Sequence, residues 1–168
     1  MLKITRHILA TASVVALAAG TTVSAGLTSA SASTTRGTEH FQLVSTSTTS
    51  SKSSIIADGK FTAAGVNYSG KRVDTAVFPG GRFKIVHSRG RGRQSFNKGT
   101  CVLRVHRHGT YLLRSGTGRF KHIRGHGRYE LDILAVFPRG PKGNCTQHKA
   151  PRAWHQIIHA RGPVRGVK

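Results

Sequence analysis

Acid is what this chain lacks most: five Asp and Glu stand against 27 Lys and Arg in 168 residues, for a formal net charge of +22. Most cations therefore have no carboxylate to meet, which excludes a surface laced with ion pairs and points to an anionic partner or a salty surrounding. Cysteine is nearly absent too. Two residues without a C-x-x-C spacing exclude a disulfide-dense miniature scaffold and a cysteine zinc finger. Only one apolar run exists, Ile8 to Ala19, interrupted by Thr11 and Ser13. It is shorter than the ~20 residues a membrane helix needs, so no stable membrane anchor is expected. An apolar period of three to four residues is also missing beyond that run, because glycines interrupt every candidate, and no helix of ten residues is predicted.

The first apolar run reads as the core of a secretory leader. Lys3, Arg6 and His7 give it a positive start, and small residues follow. Two cleavage sites compete, after Ala25 and after Ala32, and the Ala30-Ser31-Ala32 match to the A-x-A rule favours the second. Residues 1–32 are thus expected to be a signal peptide, 33–40 a disordered start, and 41–168 a single domain that is secreted to the extracellular side. Secretion places Cys101 and Cys145 where disulfides persist, and their even number predicts that they are bonded. Closing that loop would contribute ~4 kcal/mol by constraining the unfolded chain.

What is present in abundance is short, alternating apolar segments with glycine between them. Phe41 to Val44 opens a strand, and the Ser/Thr tract from Ser45 to Ser54 either extends it or forms a loop. Ile55 to Tyr68 reads as one bent or two short strands, with Gly59 and Gly65 as breaks. Val73 to Phe78 follows, with Val73, Thr75 and Val77 on one face. Pro79-Gly80-Gly81 then turns it into Arg82 to His87 as a hairpin. Arg89 to Arg93 reads as a basic loop tip. Cys101 to Val105 is a strand expected to turn at His108-Gly109 into Thr110 to Leu113. Tyr129, Leu131, Ile133, Ala135 and Phe137 alternate as the strongest strand signal, with Glu130 and Asp132 on the opposite face. Trp154 to Ala160 closes the series.

Between these strands lies a repeated unit. Gly116-Thr-Gly118-Arg119-Phe120 recurs as Gly125-His-Gly127-Arg128-Tyr129, a glycine bend followed by an aromatic. Glycine kinks with inward aromatics are devices by which a small antiparallel barrel curves and closes, so the predicted class is all-β, an antiparallel barrel. This stretch resembles the glycine-rich hairpin of the allene oxide cyclase and dirigent superfamily, over residues 41 to 165. The chain is also similar to small secreted bacterial proteins assigned to that barrel, through Gly143-Asn144-Cys145 and Gly162-Pro163. The resemblance implies a closed barrel of about eight strands. It also implies that reactive intermediates are guided inside the barrel, with acidic cavity residues in the dirigent type.

Candidate sites divide by chemistry. Glu130 and Asp132, two apart on one strand, share a face as an acid–base pair would, and Asp74 is a third strand acid. The competing reading is ion pairing, which the excess of Arg and Lys favours. His106 and His108 form an H-x-H pair able to ligate zinc or copper, but Arg104 and Arg107 beside them repel a cation and no HExxH occurs, so no metal is expected. No G-x-S-x-G elbow and no phosphate loop are present, and no cofactor is expected. Arg89, Arg91 and Arg93, with Lys98, Arg104 and Arg107, form the candidate polyanion site, since guanidinium groups fork onto phosphates. No zinc-finger spacing and no aromatic run interleaves them, so nucleic acid would be held only as a polyanion. An amphipathic helix of the membrane-active type is not found.

Two function classes follow. One is a non-enzymatic secreted barrel that binds an anionic polymer outside or a small apolar ligand inside. The other is a cyclase-like or dirigent-like catalyst working in the cavity. A catalyst needs ionisable groups converging inside, and the apolar alternation from Tyr129 to Phe137 favours the binder.

Overall fold

A computed structural model describes residues 36–168. The expected leader and both of its cut sites lie outside the described residues. Among the described residues, nine strands form one antiparallel sheet: β1 (Gly37–Ser45), β2 (Lys52–Gly59), β3 (Ala63–Tyr68), β4 (Val73–Phe78), β5 (Gly81–His87), β6 (Arg91–Asn97), β7 (Val102–Arg114), β8 (Arg124–Val136) and β9 (Ala153–Arg165). β1 pairs with both β2 and β9, and β5 pairs with the second half of β7, so eight strands close into a barrel. The all-β barrel expected from the glycine and aromatic spacing is what forms. β6 stands outside the ring, paired along the first half of β7. The long strands β7, β8 and β9 thus run past the barrel as an extension.

One end of the barrel is plugged. Phe41, Phe61, Phe78, Phe83 and Phe120 are buried and pack ring against ring, with centroids 5.1 Å apart for Phe61 and Phe120 and 5.2 Å for Phe83 and Phe120. Each such burial is worth about 1.5–3 kcal/mol before the entropy of ordering is counted. Phe120 reaches this cluster from a single 3-10 turn, Gly118–Phe120, which lies across the end between β7 and β8. The Arg119 guanidinium then covers the rings of Phe61 and Phe120 from outside. At the far tip of the extension, Cys101 and Cys145 form the predicted disulfide, with Cα atoms 5.4 Å apart. Such a bond is compatible with an extracellular location.

Several local expectations need correction. Gly37 to His40 are strand, not a disordered start, because the carboxylate of Glu39 is buried and accepts the Phe61 N–H at 3.0 Å. The Ser/Thr tract is divided: β1 ends at Ser45 and β2 begins at Lys52. Gly65 lies within β3 rather than breaking it. Arg91 and Arg93 lie on a strand, not on a loop tip, since β6 docks on β7 in register, Arg91 opposite His108 and Arg93 opposite His106. β7 runs straight through His108 and Gly109 with no turn. The glycine there serves close approach: a Cβ at 109 would stand 2.6 Å from the Tyr129 ring. Cys101 precedes β7 at φ 57° rather than belonging to it.

Candidate functional site

The plug leaves the other half of the barrel unfilled, and an apolar cavity of about 210 Å³ remains there. Its walls come from alternate residues of several strands: Phe41 and Leu43 on β1, Tyr111 and Leu113 on β7, Leu131 on β8 and Ile158 on β9. Strand periodicity dictates this, because residues two apart project to the same face. The strongest strand signal is therefore resolved in direction: Tyr129 and Leu131 face the cavity, while Glu130 and Asp132 are exposed on the outside.

At the open end the lining turns polar. Asp74 reaches it because β4 is oriented with Asp74, Ala76 and Phe78 inward and Val73 and Val77 exposed. Its Oδ1 accepts the Gly70 N–H at 2.9 Å and its Oδ2 accepts from Asn67 Nδ2 at 3.1 Å. His87, on the inward face of β5 after Phe83 and Ile85, places Nε2 3.4 Å from Asp74 Oδ1 and Nδ1 3.4 Å from the Ser88 carbonyl. The Tyr129 hydroxyl donates to the same Ser88 carbonyl at 3.0 Å. Gln156 and Ser69 complete the rim. Deeper in, burial pushes the Tyr111 hydroxyl up to about 12, with the negative charge of Glu39 adding to it, so this phenol keeps its proton. Glu39, beneath, is itself raised, chiefly by burial, with Phe61, His40 and Lys60 N–H groups pulling the other way and Asp58 adding to the rise.

Of the three candidate carboxylates, then, only Asp74 belongs to the cavity. Asp132 Oδ1 lies 2.8 Å from His106 Nδ1 on the outer face, so its partner is an imidazole and not the Arg or Lys expected. Glu130 stands opposite His108 on β7 and His159 on β9, also outside. His106 is thus engaged by a carboxylate, and among the described residues no group of three metal-ligating side chains converges, around His106 and His108 or elsewhere.

The candidate polyanion residues are separated by the fold. Arg91, Arg93 and Arg104 project from the outer face with His106 and His108. Arg107 projects from the opposite face of β7, where it shares its surroundings with Tyr129 and Gly90 near the cavity mouth. Arg89 and Lys98 lie in the turns on either side of β6.

The two glycine units are not equivalent. Gly116 and Gly118 shape the loop that carries Phe120, Gly118 at φ 56°. Gly125 and Gly127 lie within β8, where they let strands and rings approach. A Cβ at 127 would meet the Arg161 carbonyl oxygen at 2.2 Å and the Tyr111 ring at 2.7 Å.

Glu39, His87, Tyr111 and Tyr129 are absent from the candidates drawn from the sequence. His87 carries a readable signal, a polar residue at the inward position of Phe83-x-Ile85-x-His87. Glu39 carries none, since a lone acid in a small polar stretch looks like solvent-exposed chain. Comparison with protein-family models, curated proteins and solved structures gives no match to this chain.

Proposed function

We infer that this chain is a secreted, non-enzymatic binding protein whose ligand is a small, mainly apolar molecule held inside the barrel. The observation that carries this reading is the apolar cavity with its single polar rim. Its volume exceeds the ~150 Å³ of an apolar cavity that holds benzene, so a molecule of one or two rings fits. One end of such a ligand meets Asp74, whose carboxylate keeps a lone pair for a hydrogen-bond donor beyond those it turns to Asn67, Gly70 and His87.

Binding is favoured over catalysis by how the ionisable groups are held. Both nitrogens of His87 face protein oxygens, the Tyr129 hydroxyl is spent on Ser88, and Tyr111 stays protonated. A general acid or base needs a group at liberty to exchange its proton with the bound molecule. The test uses a neutral fluorescent two-ring probe with an N–H donor, 1-naphthylamine. One-site saturable binding is expected, abolished by Leu131→Trp, which fills the cavity, and weakened about tenfold by Asp74→Asn. Non-saturable uptake, or saturable binding that survives Leu131→Trp, overturns the reading.

A further inference from the structure

Residues directly opposite on adjacent antiparallel strands share a face, with Cβ atoms about 5 Å apart. One such row on the outside of the barrel is cationic from end to end. Lys84 on β5 faces Arg114 on β7. Arg114 lies one step beyond the Leu113–Gly125 pair, which sets it beside Arg124 on β8. Arg124 faces Arg165 on β9. Arg36, one step before the Gly37–Val164 pair, continues the row onto the start of β1. All five side chains are exposed.

Among the described residues no carboxylate lies within ion-pair distance of this belt, because the two acid–base contacts join Asp74 to His87 and Asp132 to His106. Asp58, Glu130 and Asp132, the acids that face outward, occupy other rows. Like charges directly opposite destabilise a sheet, and the belt gives the fold little in return: Lys84 Nζ donates to Thr75 Oγ1 and Arg124 Nη1 to the Ile123 carbonyl, each at 2.8 Å, contacts with neutral acceptors that leave the charges uncompensated. A second feature coincides with the row. Arg36, Arg114, Arg124 and Arg165 line one groove of about 540 Å³ with Leu112, His126 and Pro163; no carboxylate and no Phe, Tyr or Trp lines it, and its one aromatic ring is the His126 imidazole.

We propose that this belt is a docking track for a linear, base-free polymer of phosphodiesters, laid across the strands so that successive phosphates meet successive guanidinium groups. Strands spaced ~4.8 Å apart present the cations as a regular ladder. Guanidinium forks match phosphate oxygens in a way that a lysine patch does not. Single-strand nucleic-acid binders stack successive bases on several aromatic side chains, and the groove offers one imidazole, His126, beside Leu112, 54% exposed, and Pro163, aliphatic surfaces suited to a polyol linker. The belt crosses the plugged end of the barrel, so its occupant and a cavity ligand do not compete, and the proposal stands independently of the cavity reading.

The experiment is fluorescence anisotropy of a labelled poly(glycerol phosphate) chain with the intact protein across a salt series. Four to five phosphate contacts predict a slope of log K against log salt near about −3. The variant R114Q/R124Q/R165Q is expected to bind about tenfold or more weakly, with a slope shallower by about 2. A control losing equal charge on the extension, R91Q/R93Q/R104Q, is expected to lose less than about threefold. Equal losses in the two variants would mean diffuse charge attraction and overturn the proposal. So would tighter binding of a mixed-sequence single-stranded DNA of equal charge. Should the belt variant fail to fold, its three single substitutions decide: each is expected to weaken binding by about twofold or more, and three affinities equal to the wild type overturn the track.

Discussion

The Asp74 carboxylate lies 3.4 Å from Nε2 of His87, one strand over and two residues off the register that pairs Asp74 with Ile85. It is a diagonal contact at the cavity mouth, and the same carboxylate receives the Gly70 N–H and the Asn67 amide. Asp74→Asn would turn a donor toward one of these donors and is expected to destabilise the fold by about 2 kcal/mol, with His87→Ala costing about 1 kcal/mol. Because the residues share a network, the double variant should fall short of the sum by at least about 0.5 kcal/mol in urea melts. Additivity within about 0.3 kcal/mol would refute the coupling.

Glu39 leads to a pH prediction. Burial raises its folded-state affinity for the proton above that of the unfolded chain, whose ordinary value is 4.5. The stability this group contributes is therefore fully present below the unfolded value and is lost as pH rises through the raised folded value. Glu39→Gln keeps a carbonyl oxygen for the Phe61 N–H and never ionises. The variant should match the wild type in melting temperature at pH 4 and exceed it by ~3 °C at pH 7. A variant less stable at pH 7 than at pH 4, relative to wild type, reverses the sign and rejects the account.

Alternation made much of this molecule legible, because period-two spacing is local and the barrel obeys it. The hairpin β4–β5 and the shared faces of Tyr129 to Ala135 and of Gln156, Ile158 and Ala160 follow from spacing alone, whereas the direction of those faces, toward the cavity, comes from the closed barrel. The face of β4 could be read the wrong way round, because Val73 and Val77 are apolar yet exposed and Asp74 is polar yet inward. Two hydrogen bonds from Asn67 and Gly70 stabilise that inversion, and hydropathy does not see them. The cationic belt was illegible for another reason. Its members lie at positions 36, 84, 114, 124 and 165, and only the closed register brings them into one row. A dense run such as Arg89 to Arg93 catches the eye in a sequence, and β6 does send Arg91 and Arg93 to one face, but Arg107 projects from the other face of β7 and Lys98 lies in the turn after β6.

Glycine substitutions separate close approach from backbone conformation. At Gly127 a side chain would enter the Arg161 carbonyl and the Tyr111 ring, both held by strands and core, so neither can retreat cheaply. At Gly143 the backbone is left-handed, φ 75°, but nothing lies within 4 Å of a Cβ. Gly127→Val is therefore expected to cost at least about 3 kcal/mol, ~10 °C in melting temperature. Gly143→Ala meets only the left-handed penalty of about 1 kcal/mol, ~3 °C. Gly118 combines both hazards, since its φ is 56° and a Cβ would stand 2.0 Å from the Gly80 carbonyl oxygen, so Gly118→Val should fall with Gly127→Val. Thermal melts of the three variants give the ordering directly. If Gly127→Val melts as high as Gly143→Ala, the contact between β8 and β9 at this point is looser than the barrel requires, and the role given to Gly127 is wrong.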